Sequence, residues 1–240
     1  MRTEEKKPNV SLVIPVYNDH EALEKAIPIS LRALAAICEK YEIIIAEDAS
    51  TDGSREYATR LANEKPYIRH VHRDERGGRG SALTLAAEKA LYDIYVYFDV
   101  DLATDIAHLK TLISAIENGY DMATGSRLLP TSTITRSGGR EMKSRGYNHL
   151  VRIMLKSKLC DHQCGFKAFN RQKLCNLLPK VQDTHWFWDT EVLVLGQRAG
   201  YKVCEIPVRW NEGAGTTVKQ SDVFAMGASI FELWWRMHGF

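Results

Sequence analysis

Five short runs of Ile, Val, Leu and Tyr punctuate the first half of the chain: Val10–Val16, Glu42–Ala46, Ile68–Val71, Ile94–Phe98 and Met122–Thr124. Within them the apolar positions are nearly continuous rather than alternating. That is the pattern of strands buried on both faces of a parallel sheet. Helical patterns separate the runs, near Glu21–Glu39, Ser54–Asn63, Gly80–Leu91 and Asp105–Glu117. The segment Glu47-Asp48-Ala49-Ser50-Thr51-Asp52-Gly53 is rich in turn and capping residues and leads into one of these helices. Strand–helix–strand repetition predicts an α/β fold, Rossmann-like, with a mostly parallel central sheet flanked by helices. Crossovers should be right-handed, and ligands should gather at the carboxyl ends of the strands.

Beyond Arg127 the pattern changes. Leu128–Gly139 carries Pro, Thr, Ser and Gly and reads as a loop. A basic helix is predicted around Lys143–Lys156, then an apolar run at Gly165–Phe169, a helix near Asp189–Ala199 and a strand at Lys202–Trp210. The last segment, Ser221–Phe240, is heavily apolar but interrupted by Glu232 and Arg236. A spanning helix needs about 20 predominantly apolar residues, so an amphipathic C-terminal helix fits better. It either lies at a membrane interface, where its tryptophans suit the headgroup boundary, or packs on its own domain. Without internal repeats or linker composition, one domain is expected at 9–210, with a C-terminal tail at 211–240.

Length and composition narrow the classes. A chain of 240 residues suffices for one large domain with a sizeable core. A formal net charge of +2 gives no polyanion-binding signature, so nucleic acid is not an expected partner. The charged start, Met-Arg-Thr-Glu-Glu-Lys-Lys-Pro, lacks the apolar stretch of a signal peptide or anchor. Five cysteines without a secretory signal argue against a disulfide framework. Cys160, His162 and Cys164 lack a second ligand pair at zinc spacing and read as buried groups.

The candidate chemistry sits at strand ends. Tyr95-Val96-Tyr97-Phe98 runs straight into Asp99-Val100-Asp101. Where the strand ends the chain turns, and both carboxylates can address one ion. Hard oxygen ligands suit Mg²⁺ or Mn²⁺, which also bind diphosphate oxygens. Such an ion neutralises the charge that grows on a nucleoside diphosphate leaving group. The structural alternative is two solvated loop carboxylates. At the end of the first predicted strand stand Pro15, Tyr17 and Glu21, and at the end of the second stands Asp48. Asp48 could accept from a base N–H, while Asp52 is the better candidate for a helix cap.

The strings SLVIPVYND, EDASTDGS, GGRGSAL, YFDVDLATD, GSR and DHQCGFKAF occur in that order. Together they resemble family 2 glycosyltransferases of the GT-A fold, and more closely the polyprenyl-phosphate sugar transferases: dolichyl-phosphate mannose synthase and dolichyl-phosphate glucosyltransferase. The resemblance spans about Val10 to Trp210 and implies roles for matching residues. Pro15, Tyr17, Glu21, Asp48, Arg79 and Asp99-Val100-Asp101 would surround the donor nucleotide. Asp99 and Asp101 would hold the metal and the donor diphosphate. Some mannose synthases carry Gln two places after the second Asp, where this chain has Ala103. Arg127, Arg140 and Ser144 match positions for an acceptor phosphate, with Asn148 completing the run Arg-x-x-x-Ser-x-x-x-Asn. Guanidinium groups suit that task, because they are permanently charged and bidentate. A solvated basic helix face is the alternative for Arg136, Arg140, Lys143 and Arg145. Asp161 and Gln163 would face the reacting sugar. Asp189 would bind sugar or act in catalysis, or cap a helix.

The resemblance implies inverting, metal-dependent transfer of a hexose from GDP-mannose or UDP-glucose to a polyprenyl or dolichyl phosphate, in protein glycosylation. The expected location is the cytoplasmic face of a membrane, peripherally or through an anchor beyond residue 240. Two other readings compete: a family 2 enzyme acting on a sugar hydroxyl, and a non-catalytic nucleotide-binding membrane adaptor. A dinucleotide-dependent oxidoreductase is disfavoured, because Pro15-Val16-Tyr17-Asn18 lacks the glycine fingerprint.

Overall fold

The computed structural model describes residues 7–135, 138–211 and 220–238, with the backbone alone at 138–140 and 220–224. The first half is a run of strand–helix units: β1 (Asn9–Val16), α1 (His20–Ile37), β2 (Lys40–Asp48), α2 (Ser54–Glu64), β3 (Ile68–Arg73), α3 (Arg79–Lys89) and β4 (Ile94–Phe98). Then come α4 (Leu109–Glu117), β5 (Met122–Ser126), β6 (Thr133–Thr135), α5 (Gly138–Leu155), β7 (Phe166–Asn170) and α6 (Arg171–Leu177). The chain closes with α7 (Trp188–Arg198), β8 (Val203–Pro207), β9 (Arg209–Asn211) and α8 (Gln220–His238).

The central sheet has the order β3-β2-β1-β4-β7-β5-β8. Its pairs are parallel except where β7 inserts antiparallel between β4 and β5. The order reverses between β1 and β4, and in such sheets the crevice outside the carboxyl ends at the reversal is where ligands bind. Residues 16–18 and 99–101 border it.

Near-continuous apolar strands give two cores, one per face. Ile43 and Ile45 join the layer under α1, α2 and α4, while Ile44 and Ala46 join the layer under α3 and α7. Pro28 lies inside α1. It removes one intrahelical hydrogen bond, which the buried Leu23, Ala26, Ile27 and Leu34 offset by packing on the sheet.

Several elements depart from the sequence reading. The presumed loop 128–139 contains β6, which pairs with β9 in a small second sheet, and α5 begins at Gly138 rather than Lys143. The strand expected at Lys202–Trp210 is two strands, parted at Val208 so that each joins a different sheet. Helix α6 was not anticipated, because a seven-residue helix beginning right after a strand shows too little periodicity.

Helix α8 packs one face on the domain. Met226, Ile230 and Leu233 meet Val151 and Leu155 of α5 and Phe187 and Val194 around α7. Its other face leaves Phe231, Trp234 and Trp235 exposed. Ile230→Ala should therefore cost about 2–4 kcal/mol of stability, while Trp235→Ala should stay within about 0.5 kcal/mol. Urea unfolding of both variants checks this, and equal effects would mean that α8 is not docked as described.

Candidate functional site

Five acidic side chains reach the carboxyl end of the sheet, and each is held differently. Asp48 ends β2. Its two carboxylate oxygens accept the backbone N–H groups of Gly77 and Gly78, both at 2.8 Å. Gly78 has φ +96°, and a Cβ there would collide with the Thr184 carbonyl. Only glycine fits that backbone. Pro15 is buried in β1, while Tyr17, just beyond it, is 37% exposed with Arg76 stacked 3.9 Å over its ring. Glu21 stands apart, exposed in the first turn of α1. Asp52 links two helices, accepting from His20 N and Ser54 N at 2.9 and 3.1 Å.

Asp99, at the end of β4, lies in a row of buried charge. Arg79 reaches it through Nε and Nη2 at 2.9 and 2.7 Å, and reaches Asp189 through Nη1 at 2.7 Å. Burial disfavours the Arg79 charge, but Asp189 and Asp99 together outweigh that penalty and raise its pKa. Asp189 sits in the first turn of α7, whose N-cap is Phe187, so Asp189 is not the cap. Its carboxylate also accepts from the Tyr97 hydroxyl and lies 3.2 Å from Lys167 Nζ. Burial raises the Asp189 pKa against the pull of Arg79. Lys167 is fully buried, donates to the Cys164 carbonyl at 2.5 Å, and is pushed down by burial to about 7.

The turn after Asp99 shapes the second carboxylate. Asp99 N donates to the Gly165 carbonyl at 3.0 Å, and a Cβ on Gly165 would collide with the Asp99 carboxylate. Val100 is half-buried, and Leu102 adopts a left-handed φ of 53°. This tight turn lets Ala103 N donate to Asp101 Oδ1 at 3.0 Å. A backbone amide thus orients Asp101. Burial first, and the Asp99 charge second, raise the Asp101 pKa. Two carboxylates that repel in a partly desolvated turn are a donor set that suits a divalent cation.

Asp161 is fully buried and belongs to a second cluster. Arg127 grips it in a fork, Nε to Oδ2 at 2.7 Å and Nη2 to Oδ1 at 3.0 Å, while Arg127 N and Gln163 N also donate to it. Burial alone would raise this carboxyl. Arg127 outweighs it and holds the group well below the usual carboxylate range. His162 spends its ring on Asn148 Oδ1 and Ser157 Oγ, both at 2.7 Å, and burial lowers it to about 4. Asn148 of α5 thereby fixes the 161–163 loop. Ser144, one turn earlier, has a buried hydroxyl with no hydrogen-bond partner among the described residues. The Arg140 side chain and Arg136 lie outside the described residues.

The structure therefore joins Arg79, Asp99 and Asp189 in one cluster and Arg127, Asp161 and Gln163 in another. Two participants escaped the sequence reading. Tyr97 read as strand core, and Lys167 fell within the apolar run at Gly165–Phe169. Their only signal was polar groups within apolar runs, which gains meaning once β7 pairs with β4 at Tyr97↔Lys167.

A mostly parallel sheet of this order, with carboxylates at its reversal, is a GT-A-like fold. Over residues 11–178 the chain matches the family model described as glycosyl transferase family 2, and it belongs to that family. It is 46% identical over 95% of its length to glycosyltransferase AglD of Haloferax volcanii, but spans only 37% of that protein. It is 29% identical to dolichyl-phosphate beta-glucosyltransferase ALG5A of Trichomonas vaginalis, covering 93% of this chain and 72% of that one. Polyprenol monophosphomannose synthase of Mycolicibacterium smegmatis is 28% identical, over 84% and 77% respectively. Among solved structures, glucosyl-3-phosphoglycerate synthase from Mycobacterium tuberculosis, in complex with Mn²⁺, UDP and phosphoglyceric acid, superposes with a TM-score of 0.70. It covers 97% of this chain and 79% of its own at 17% identity, a likeness of fold.

The Arg127–Asp161 pair yields a stability prediction. Asp161→Asn leaves a largely buried guanidinium unpaired and should cost about 3–5 kcal/mol. Replacing both partners by apolar residues should cost less than the sum of the single changes. A double-mutant cycle in urea checks this, and simple additivity would show that the two groups are not coupled.

Proposed function

We propose that this chain transfers a hexose from GDP-mannose or UDP-glucose to polyprenyl or dolichyl phosphate, with inversion at the anomeric carbon and dependence on Mg²⁺ or Mn²⁺. The observation that carries this reading is the pair Asp99 and Asp101 at the tip of β4, beside the order reversal of the sheet, with the Asp101 pKa raised by burial and then by the Asp99 charge. The names of the relatives support the lipid phosphate acceptor.

Asp99 and Asp101 would hold the ion, which when bound supplies positive charge to the departing diphosphate. Pro15, Tyr17, Glu21, Asp48, Arg79 and Val100 would surround the nucleotide. Tyr17 offers an exposed ring, and Asp48 reaches the same crevice from β2. Arg79 positions Asp99 and Asp189 together, so the metal-holding and sugar-facing carboxylates keep a fixed separation. Asp189, Asp161 and Gln163 would face the sugar.

The acceptor needs no strong base. A phosphate monoester has a second pKa of about 6 and is largely dianionic at pH 7. Its oxygen attacks the anomeric carbon as the bond to the diphosphate oxygen breaks. The work is to bring two anionic groups together. Arg127, Arg140 and Ser144 would hold the acceptor phosphate. The fork of Arg127 is spent on Asp161, which assigns the larger share to Arg140 and to the unpartnered Ser144 hydroxyl one turn further on.

The acceptor's lipid calls for a membrane surface. Exposed Met142, Leu150 and Ile153 on α5 and Phe231, Trp234 and Trp235 on the adjoining α8 offer an apolar face. Lys143, Arg145 and Arg152 lie exposed along the same α5 and suit anionic headgroups. Among the described residues no helix is long and apolar enough to cross a membrane. In this reading 9–210 is the catalytic unit and 211–240 its membrane-facing tail, at the cytoplasmic face, peripheral or anchored beyond residue 240.

Two variants test the assignment. Asp101→Ala should lower metal-dependent transfer by at least about 10²–10³-fold while leaving the thermal unfolding profile in place. Full activity in a folded variant defeats the reading. Arg140→Ala should weaken the lipid phosphate acceptor by about tenfold or more and leave nucleotide affinity unchanged. Equal loss of both ligands counts against an acceptor role. The assay offers each nucleotide sugar with Mn²⁺ or Mg²⁺ and a short polyprenyl phosphate, and reads lipid-linked sugar.

A further inference from the structure

A separate cluster lies on the other face of β2, turned away from Asp48. Glu47 is paired with His72 in the β2–β3 register, and His70 sits two residues earlier on the same face of β3. Glu47 is fully buried, and the side chains of His70 and His72 are 11% and 19% exposed. One atom from each of the three residues lies within 4.8 Å of the other two. His72 Nδ1 is 2.5 Å and His70 Nε2 3.7 Å from the same oxygen, Glu47 Oε2.

The outer contacts fix which lone pairs point inward. Thr59 Oγ1 donates to the Arg55 carbonyl at 2.9 Å, so toward His70 Nδ1, at 3.1 Å, it can only accept. With that hydroxyl turned to the Arg55 carbonyl, Nδ1 of His70 is the donor, and the buried Nε2 faces Glu47 Oε2 at 3.7 Å with no hydrogen-bond partner among the described residues. A cation placed between the ring nitrogen and the carboxylate would satisfy both. His72 has the matching arrangement: Nδ1 faces Glu47, and Nε2 lies 3.1 Å from Asp74 Oδ1. A metal-bound imidazole ordinarily donates its outer N–H to such an oxygen.

We propose that Glu47, His70 and His72 form a second metal site, for a borderline divalent transition ion of the Zn²⁺ class, distinct from the oxygen-only pair Asp99 and Asp101. Two imidazoles and one carboxylate leave a fourth position open to water. The site clips β2 to β3 just before residues 74–78, whose Gly77 and Gly78 hold Asp48. The same Glu47 carboxylate also accepts from Ser50 N, in the turn after Asp48. The ion would stiffen both loops without touching the donor.

The test is Zn²⁺ titration of the metal-stripped full chain by calorimetry. One equivalent should bind. His70→Asn and His72→Asn should each weaken binding at least about tenfold, and Asp101→Asn should change it less than twofold. Zn²⁺ should also protect His70 and His72 of the unaltered chain from diethyl pyrocarbonate, which keeps the test valid if a variant misfolds. No stoichiometric binding, unprotected histidines, undiminished affinity in the folded His variants, or loss of binding in Asp101→Asn would each overturn the proposal.

Discussion

The carboxyl end of this sheet depends on compensation of buried charge. Asp99, Asp101, Asp161 and Asp189 converge there from β4, its following turn, the 161–163 loop and α7. Arg127 balances Asp161 in a closed fork. Arg79 and Lys167 stand against Asp99 and Asp189, with Arg79 reaching both carboxylates and Lys167 only the second. Asp101 lies exposed at the rim of this row, its Oδ1 accepting from Ala103 N. Structure and chemistry thus share one electrostatic account, in which Arg79 spans β4 and α7 and keeps the row in register.

Packing supplies the geometry that the charges need. Gly165 and Gly78 admit backbone where any side chain would collide, one against Asp99 and the other against Thr184. Tyr97, buried among Tyr95, Phe169 and Trp188, aims its hydroxyl at Asp189 out of an otherwise apolar layer. The antiparallel β7 brings Lys167 beside Tyr97 and Gly165 beside Asp99. One strand running against its neighbours therefore delivers a cation to one carboxylate and a gap to another.

The parallel half of the fold was legible because β1, β2, β4 and β5 are buried on both faces, so their largely apolar runs announce them. Asp99 and Asp101 were legible because a buried strand ending in carboxylates contradicts its own hydrophobic pattern. What stayed hidden was pairing. Nothing local distinguishes an antiparallel β7 from another parallel strand, or reveals that Thr133–Thr135 meets Arg209–Asn211. The same limit concealed Glu47, His70 and His72. The alternation of His70 and His72 is visible along the chain, but the register that sets Glu47 against His72 exists only between strands. Arg127 shows the converse. Its type and position pointed to a phosphate, while its actual geometry is dominated by a partner 34 residues away.

Helix α8 connects these clusters to the surface that the acceptor would approach. Arg236 reaches Glu191 at 2.5 Å, two residues beyond Asp189 on α7. Met226 touches the Gln163 side chain at 2.9 Å, next to the loop that holds Asp161. Glu191 in turn accepts from the backbone of Gln182 and Asp183, and Asp183 holds Trp188 N at the start of α7. The helix that exposes Trp234 and Trp235 therefore contacts both α7 and the 161–163 loop through separate residues. A lipid surface pressing on α8 would act on α7 and the 161–163 loop together. Such a contact couples membrane docking to the geometry of the site only if α8 moves as a rigid body, and its buried Ile230–Leu233 face against α5 and α7 provides that rigidity.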